Sequence, residues 1–385
     1  MGLRRPLLLL AAAGFVSGLS MRLAEPLLPK VADDFGVSVS SAAVLITGFT
    51  LAYGLFQLFH GPLGDRIGKL RTVTIALVLA AIACFACATA SSLPTLALYR
   101  FLAGMTAGGV IPLSFAFVGD NVGYEERQTV LGRFIAGNLL GQTFGPLLGG
   151  VFSDYIGWRA TFLVPAAAFL IIGAMLFPLA RRQHAVQTGS AVPMHPLARY
   201  ASLLRLRRVR IVLLAVAVEG FLFFGAFGYL GAFLRHDFGL SYTAIGFVLA
   251  GFGLGGLVYS LLVKVLVRRL GQRGLVGSGG VLLLICFGAL ALAPDWHWCA
   301  PPIGLLGLAF YMLHNTLQTR ATEMAPEARG SAVSLFAFCL FLGQALGVSL
   351  IGIGVEYAGY RWMIGATGIA LAALAFWLRS RLPHL

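Results

Sequence analysis

The chain has 385 residues, of which 59% are hydrophobic and only 11% charged, a balance far from that of a soluble globular domain. Its formal net charge of +14 is split among many short segments instead of one basic, aromatic-rich stripe, which argues against nucleic acid as a partner and for an anionic membrane face. Walker, Gly-x-Ser-x-Gly, His-Glu-x-x-His and paired Cys-x-x-Cys patterns are absent, which argues against ATP-driven transport, hydrolysis and a metal site.

Apolar stretches long enough to cross about 30 Å of hydrocarbon fall near 6–29, 41–62, 72–90, 94–118, 129–151, 158–180, 211–234, 242–266, 274–293, 300–321, 331–354 and 361–379. The expected fold is an all-α membrane protein of twelve helices, with short loops that set neighbours antiparallel. The first stretch follows Arg4-Arg5 and looks at its start like a signal peptide, but it runs on to Leu28, so an uncleaved first helix is expected. It ends in Arg22-Leu23-Ala24-Glu25-Pro26-Leu27-Leu28-Pro29, where Arg22 and Glu25 share a helix face at i, i+3. A carboxylate in an apolar cavity beside arginine is a candidate proton carrier, and the alternative is a structural ion pair at the outer rim.

The second stretch carries Gln57 and His60 and leads into Gly61-Pro62-Leu63-Gly64-Asp65-Arg66-Ile67-Gly68-Lys69-Leu70-Arg71. Gly61 and Gly68 allow close approach and a tight turn. Asp65 offers a carboxylate that can latch onto a helix N-terminus near Gly330 or onto an arginine of the other half. Asp120, closing the fourth stretch, is a counter-charge for Arg66 or Lys69. Arg100 lies about 9 Å into that stretch, deep enough to need a partner or to snorkel outward. Cys84-x-x-Cys87 in the third stretch lacks a base or metal-ligand partners and reads as packing.

The fifth stretch contains Gly137, Gly141, Gly145, Pro146, Gly149 and Gly150, a groove for a neighbouring helix with a proline bend, together with polar Asn138 and Gln142. Arg181–Arg210 is the longest connection and carries seven arginines, and His195–Arg210 can form an amphipathic surface helix. In the seventh stretch Glu219 lies about 13 Å beyond Arg210, near the midplane, without a basic residue one turn away. Its desolvated site favours the neutral, proton-carrying form and makes Glu219 the first choice for coupling, against a purely hydrogen-bonding role. Phe223 and Phe227 follow it as pocket-lining candidates. His314, Asn315 and Gln318 in the tenth stretch and Gln344 in the eleventh complete the polar lining, with half of such residues explained by interhelical hydrogen bonding alone.

A repeat organises the whole. Arg127, Phe134, Gly141-Gln142, Gly145, Gly150, Tyr155, Gly157 and Arg159 recur 202 residues later as Arg329, Phe336, Gly343-Gln344, Gly347, Gly352, Tyr357, Gly359 and Arg361. Asp34-Phe35-Gly36 recurs as Asp237-Phe238-Gly239 at an offset of 203. The division is a six-helix bundle over 1–180, a basic linker over 181–210 and a second bundle over 211–385, with a site between halves that rock. Gln142 and Gln344 are repeat-related and expected to face each other. Arg268 takes the place of Asp65 in the second copy, so a carboxylate latch would work from the first copy alone. With the N-terminus inside, 22 of the 28 Lys and Arg fall on inner segments, which orients both termini to the cytoplasm.

The loop from Gly61 to Arg71 resembles the signature loop of the major facilitator superfamily, with Leu70 departing at one basic position. The run from Gly137 to Gly150 resembles the Gly-x-x-x-Gly-Pro-x-x-Gly-Gly motif of that family's twelve-helix drug:proton antiporters. Arg100 and the Pro26–Pro29 end are similar to two more antiporter patterns, although Ala103 and Thr106 depart from the first. The resemblance implies a proton-coupled exporter of small amphipathic compounds or drugs in a bacterial inner membrane. Proton coupling would rest on Glu219, Glu25, Arg22 and Arg100, and gating on Gly61, Asp65, Arg66, Gly68, Lys69, Arg71 and Asp120. It implies no enzyme activity, no cofactor beyond a proton gradient, and a monomer whose partners are a small-molecule substrate, protons and lipid. A proton symporter importing a metabolite or siderophore is the rival reading, and a non-transporting membrane scaffold or sensor another.

Overall fold

Six glycines with left-handed or otherwise positive φ mark where the chain turns, and they come in three pairs at the repeat offset: Gly36 and Gly239, Gly68 and Gly271, Gly157 and Gly359. The repeat seen in side-chain identity is thus also written into the backbone, at positions where a Cβ would be strained. The computed structural model describes residues 3–182 and 196–382. Among the described residues, nine helical stretches are long and apolar enough to cross a membrane. One of them, Tyr242–Ala291, folds back at Gly271 (φ 61°, ψ 176°), so that Tyr259 and Leu275 pack together on Met312.

The helices are α1 (Arg4–Phe35), α2 (Val39–Ile67), α3 (Lys69–Ala88), α4 (Leu93–Asn121), α5 (Tyr124–Tyr155), α6 (Trp158–Arg181), α7 (Arg207–Phe238), α8 (242–270), α9 (272–291), α10 (Ala300–Glu323), α11 (Arg329–Ala358) and α12 (Tyr360–Arg381). They form two pseudo-symmetric bundles of six. The main pairs within the first are α1 with α5, α2 with α4 and α3 with α6; their counterparts are α7 with α11, α8 with α10 and α9 with α12. Large apolar side chains such as Ile82, Phe85, Ile171, Phe247, Ile285 and Ile369 point outward, as a lipid-facing surface requires.

Glycine spacing explains the tightest pairs. A Cβ on Gly141, Gly145 or Gly149 would strike the carbonyl oxygens of Phe15, Leu19 and Leu23, which recede along α1 in the same four-residue step. In the second bundle Gly343 and Gly347 press on the carbonyls of Ala217 and Phe221 in the same way. Close backbone approach replaces the hydrophobic effect as the source of cohesion in lipid. α5 continues helically through Pro146.

The bundles meet along α2 with α11 and α5 with α8. On the first seam Ser40 hydrogen-bonds Glu356, Thr47 pairs with Ser349 at 3.3 Å, and Gly54 packs on Phe341. On the second, Asp154 accepts hydrogen bonds from the N–H groups of Tyr242 and Thr243, Gly150 lies on Gly246, and Thr143 on Gly253. Apart from Gly54 with Phe341, which meet at mid-helix, these contacts lie in the halves away from the basic end, the end that carries Arg4 and Arg66. Toward the basic end Gly61, Gly132 and Gly330 have open space beside them. The seams therefore close on one side and part on the other.

Of the linker, 183–195 lies outside the described residues, His195 of the expected amphipathic helix among them. The helix that follows is Pro196–Arg205, and the chain turns at Leu206 before α7 begins instead of running on to Arg210. It reaches both bundles: the Tyr200 hydroxyl donates to the Leu58 carbonyl of α2 at 3.3 Å, and Arg199 donates to the Glu327 carbonyl ahead of α11 at 3.4 Å.

Candidate functional site

Pro26 and Pro29 break α1 near its far end, where Glu25–Leu27 forms a 3-10 turn. The break leaves Arg22 and Glu25 facing each other, with Arg22 Nη1 donating to Glu25 Oε1 at 2.6 Å and both side chains at most 3% exposed. A buried ion pair offsets its desolvation only with good geometry and further polar contacts. Arg22 has these: its Nε donates to Gln142 Oε1 at 3.4 Å, Gln142 Nε2 donates to Asn138 Oδ1 at 2.8 Å, and Asn138 Nδ2 donates to the Gly14 carbonyl at 3.1 Å. Gln142 and Asn138 are partly exposed, so this polar ladder links the buried Arg22 to accessible side chains of α5. The second carboxylate oxygen of Glu25 has no hydrogen-bond partner among the described residues.

Arg22 also crosses between bundles. Its guanidinium lies 4.3 Å from the ring centre of Phe224 and within 5.7 Å of Phe227 and Phe252, on α7 and α8. A desolvated cation on several aromatic faces is held by their quadrupoles. Phe224 packs on Phe310 at 5.0 Å, and Phe223 on Phe310 at 4.5 Å. Phe310 in turn stacks on His314 at 4.9 Å with nearly parallel rings.

His314 ends the series at Glu219, with Nδ1 2.8 Å from Oε2. One proton satisfies this contact in either place: a neutral imidazole N–H donates to a carboxylate, or a carboxylic acid donates to the bare Nδ1. Glu219 is fully buried, and its Oε1 has no partner among the described residues. Two carboxylates, one in each bundle, are therefore joined through Arg22, five phenylalanines and His314, and each retains one oxygen without a partner among the described residues. Glu219 has no basic residue one turn away along α7, but it does have a basic neighbour in His314. That neighbour lies 95 positions away on α10, so no local pattern could reveal it.

Arg100 is not part of this network. It is fully buried inside the first bundle, donating to the carbonyls of Leu45 and Ser20 at 3.0 and 3.2 Å and lying 4.1 Å from the Phe49 ring centre. It neither snorkels nor pairs with a carboxylate among the described residues; backbone oxygens and an aromatic face take the place of a counter-ion. Gln142 and Gln344 do not bond to each other: Gln142 is held by Arg22 and Asn138, and the Gln344 side-chain oxygen is buried without a partner. Asn315 donates to the Tyr259 hydroxyl at 2.9 Å, Gln57 is buried apart from the network, and Gln318 is exposed. Phe223 and Phe227 are buried in the aromatic cluster.

In the loop between α2 and α3, Lys69 rather than Arg66 pairs with Asp120, and Arg71 donates to the Ala180 carbonyl at 3.1 Å. Asp65 is exposed and has no ion pair or hydrogen bond among the described residues. Its expected partner near Gly330 lies across the parted seam. The antiparallel register of Ser40 with Glu356, Thr47 with Ser349 and Gly54 with Phe341 sets Asp65 opposite Gly330 when continued eleven residues along each helix.

Comparison with known proteins agrees with this architecture. The Major Facilitator Superfamily model matches residues 10–348 and 233–385. The MFS-type transporter YceJ of Bacillus subtilis (strain 168) is 30% identical over 352 residues, covering 88% of this chain and 86% of that protein. YfmO of the same organism, a multidrug efflux protein, is 26% identical over 355 residues, covering 90% and 85%. Among solved structures, a bacterial homologue of the human lysosomal transporter Spinster in an inward-facing, occupied conformation superposes with a TM-score of 0.80 at 18% identity, covering 97% of this chain and 96% of that one. With the repeat, the twelve helices and the two bundles, these matches show that the chain belongs to the major facilitator superfamily and is a membrane transporter, not an enzyme.

Proposed function

We propose that this transporter exports small amphipathic molecules across a bacterial inner membrane in exchange for protons. The observation that carries the reading is the network from Glu25 and Arg22 through the phenylalanine cluster to His314 and Glu219, which spans both bundles. An amphipathic substrate with a polar or cationic group competes with Arg22 for the aromatic faces and for Glu25. Displacing Arg22 changes the charge balance at Glu25, and remodelling the shared cluster reaches Glu219 through Phe310 and His314. Each carboxylate then gains or loses a proton as substrate leaves or enters, which is the coupling an exchanger needs. The likeness to YfmO supports the export direction.

The basic end is assigned to the cytoplasm by the excess of arginine there, so the seams part inward and both termini are cytoplasmic. Closing that side brings Asp65 to the start of α11, where a carboxylate is stabilised by the helix N-terminus. On the other seam, continuing the register of Thr143 with Gly253 by fifteen residues sets Arg268 opposite Gln128, beside Glu125 and Glu126 in the first turn of α5. The arginine that replaces Asp65 in the second copy thus meets acidic residues, and the two latches carry inverted charge. The linker helix, bound to Leu58 and to the Glu327 carbonyl, spans the gap that must close and shifts with it.

Vesicles of opposite orientation with an imposed pH gradient test the direction. Inside-out vesicles acidified in their lumen should accumulate substrate as protons leave, and right-side-out vesicles placed in acidic medium should expel preloaded substrate as protons enter. Uptake that follows protons into right-side-out vesicles would favour the symporter instead.

A further inference from the structure

We propose that the second bundle carries a binding site for the phosphate headgroup of an anionic phospholipid, built where the end of α12 meets the beginnings of α7 and α9. Two clefts flank the α12 end. One, of about 600 Å³, is lined by Arg207, Arg208, Arg381, Leu206 and Ile211, and the other, of about 320 Å³, by Arg273, Arg379, Phe376 and Ser380. Neither belongs to the transport site described above.

Charge balance points to an anion. Among the described residues, none of these five arginines has an ion pair or a hydrogen-bond acceptor; Arg4, Arg5, Arg66, Arg133, Arg268 and Arg269 share that lack, so what sets the five apart is their gathering about two clefts. Like charges gathered in two adjoining clefts repel unless a counter-ion sits among them. Arginine is also the side chain whose planar fork matches phosphate oxygens in pairs.

The repeat sharpens this. Arg207-Arg208 stands 203 positions after Arg4-Arg5, and at the 203-residue offset that matches Gly68 to Gly271, Arg273 stands where the first copy has Leu70. In the first copy the Arg71 guanidinium is turned onto the Ala180 carbonyl, and Lys69 is neutralised by Asp120. In the second copy position 322, which matches Asp120, is Thr322, so that carboxylate is missing and the arginines face open clefts. The source of the anion is the lipid and not the aqueous phase, because the clefts open onto the outer apolar surface. Phe376 and Leu206 are 48% and 40% exposed beside the arginines, and Leu214 two turns along α7 is 57% exposed, a path for acyl chains below a headgroup.

The test uses the purified full chain in nanodiscs of phosphatidylcholine doped with increasing phosphatidylglycerol, read by thermal unfolding and by co-purified lipid phosphorus. Wild-type protein should gain stability saturably with phosphatidylglycerol. The triple variant Arg207→Gln, Arg208→Gln, Arg381→Gln should need at least fivefold more for half of that effect, and the first-copy control Arg4→Gln, Arg5→Gln should stay within twofold of wild type. Inorganic phosphate at matched concentration should give no stabilisation; an equal effect would replace the lipid site by a free-anion site. Equal responses of triple variant and wild type, or equal losses in variant and control, would overturn the proposal. If the triple variant does not fold, Arg381→Gln alone and loss of the wild-type effect in high salt carry the same decision.

Discussion

Arg22 holds its place through two different attractions, an ion pair to Glu25 and contact with the aromatic faces of the opposite bundle. Lysine in its place keeps the charge but loses the planar contact and the second donor to Gln142. Arg22→Lys should therefore weaken transport by roughly 2- to 30-fold, the range of one to several cation–π contacts, measured as initial rate in vesicles; an unchanged rate would mean that the aromatic contact is incidental. Glu219→Gln keeps the shape and one hydrogen-bonding oxygen but cannot exchange a proton. Substrate binding should survive while accumulation driven by a pH gradient fails. Accumulation at the wild-type level would move the coupling to Glu25. The two carboxylates and Arg22 were legible in the sequence because charge inside an apolar run is rare. His314 as the partner of Glu219 was not legible, since it comes from a helix brought near only by the bundle fold. For Arg100 the buried charge was legible, but the carbonyls that satisfy it were not, since they come from other helices.

At the scale of elements, the α5 glycines act by what they leave out. A methyl on Gly141 would meet the Phe15 carbonyl, so Gly141→Ala should lower stability by about 1–3 kcal/mol, the usual range for an overfilled contact, and Gly145→Leu should misfold or lock the transporter. Normal thermal unfolding and transport in both would mean that α1 and α5 can separate at little cost. The inverted latches make a second, independent prediction. Asp65→Asn should slow turnover while leaving folding and insertion intact. Reversing Glu125 and Glu126 to arginine should impair turnover, and adding Arg268→Glu with Arg269→Glu should restore at least half of it. Failure of the combined variant to recover, with normal insertion, would remove the second latch. The glycine groove was plain in sequence because its four-residue step is local. The inverted latch was not, because it depends on the register between α5 and α8, which only the seam contacts fix.

At the scale of the whole molecule, two copies of one unit meet along two seams that are closed at one end and parted at the other. That geometry lets small rotations at the seams open one face as they shut the other. The repeat told of two bundles and of a site between them. It could not tell which face is open, because both conformations satisfy the same hydropathy pattern. The central claim, exchange of substrate for protons, is tested most directly by recording lumenal pH with a trapped dye in proteoliposomes of known orientation as substrate is added. The account predicts substrate-stimulated proton movement opposite in direction to substrate, abolished in Glu219→Gln while binding remains. Proton movement in the same direction as substrate, or none at all, would contradict it.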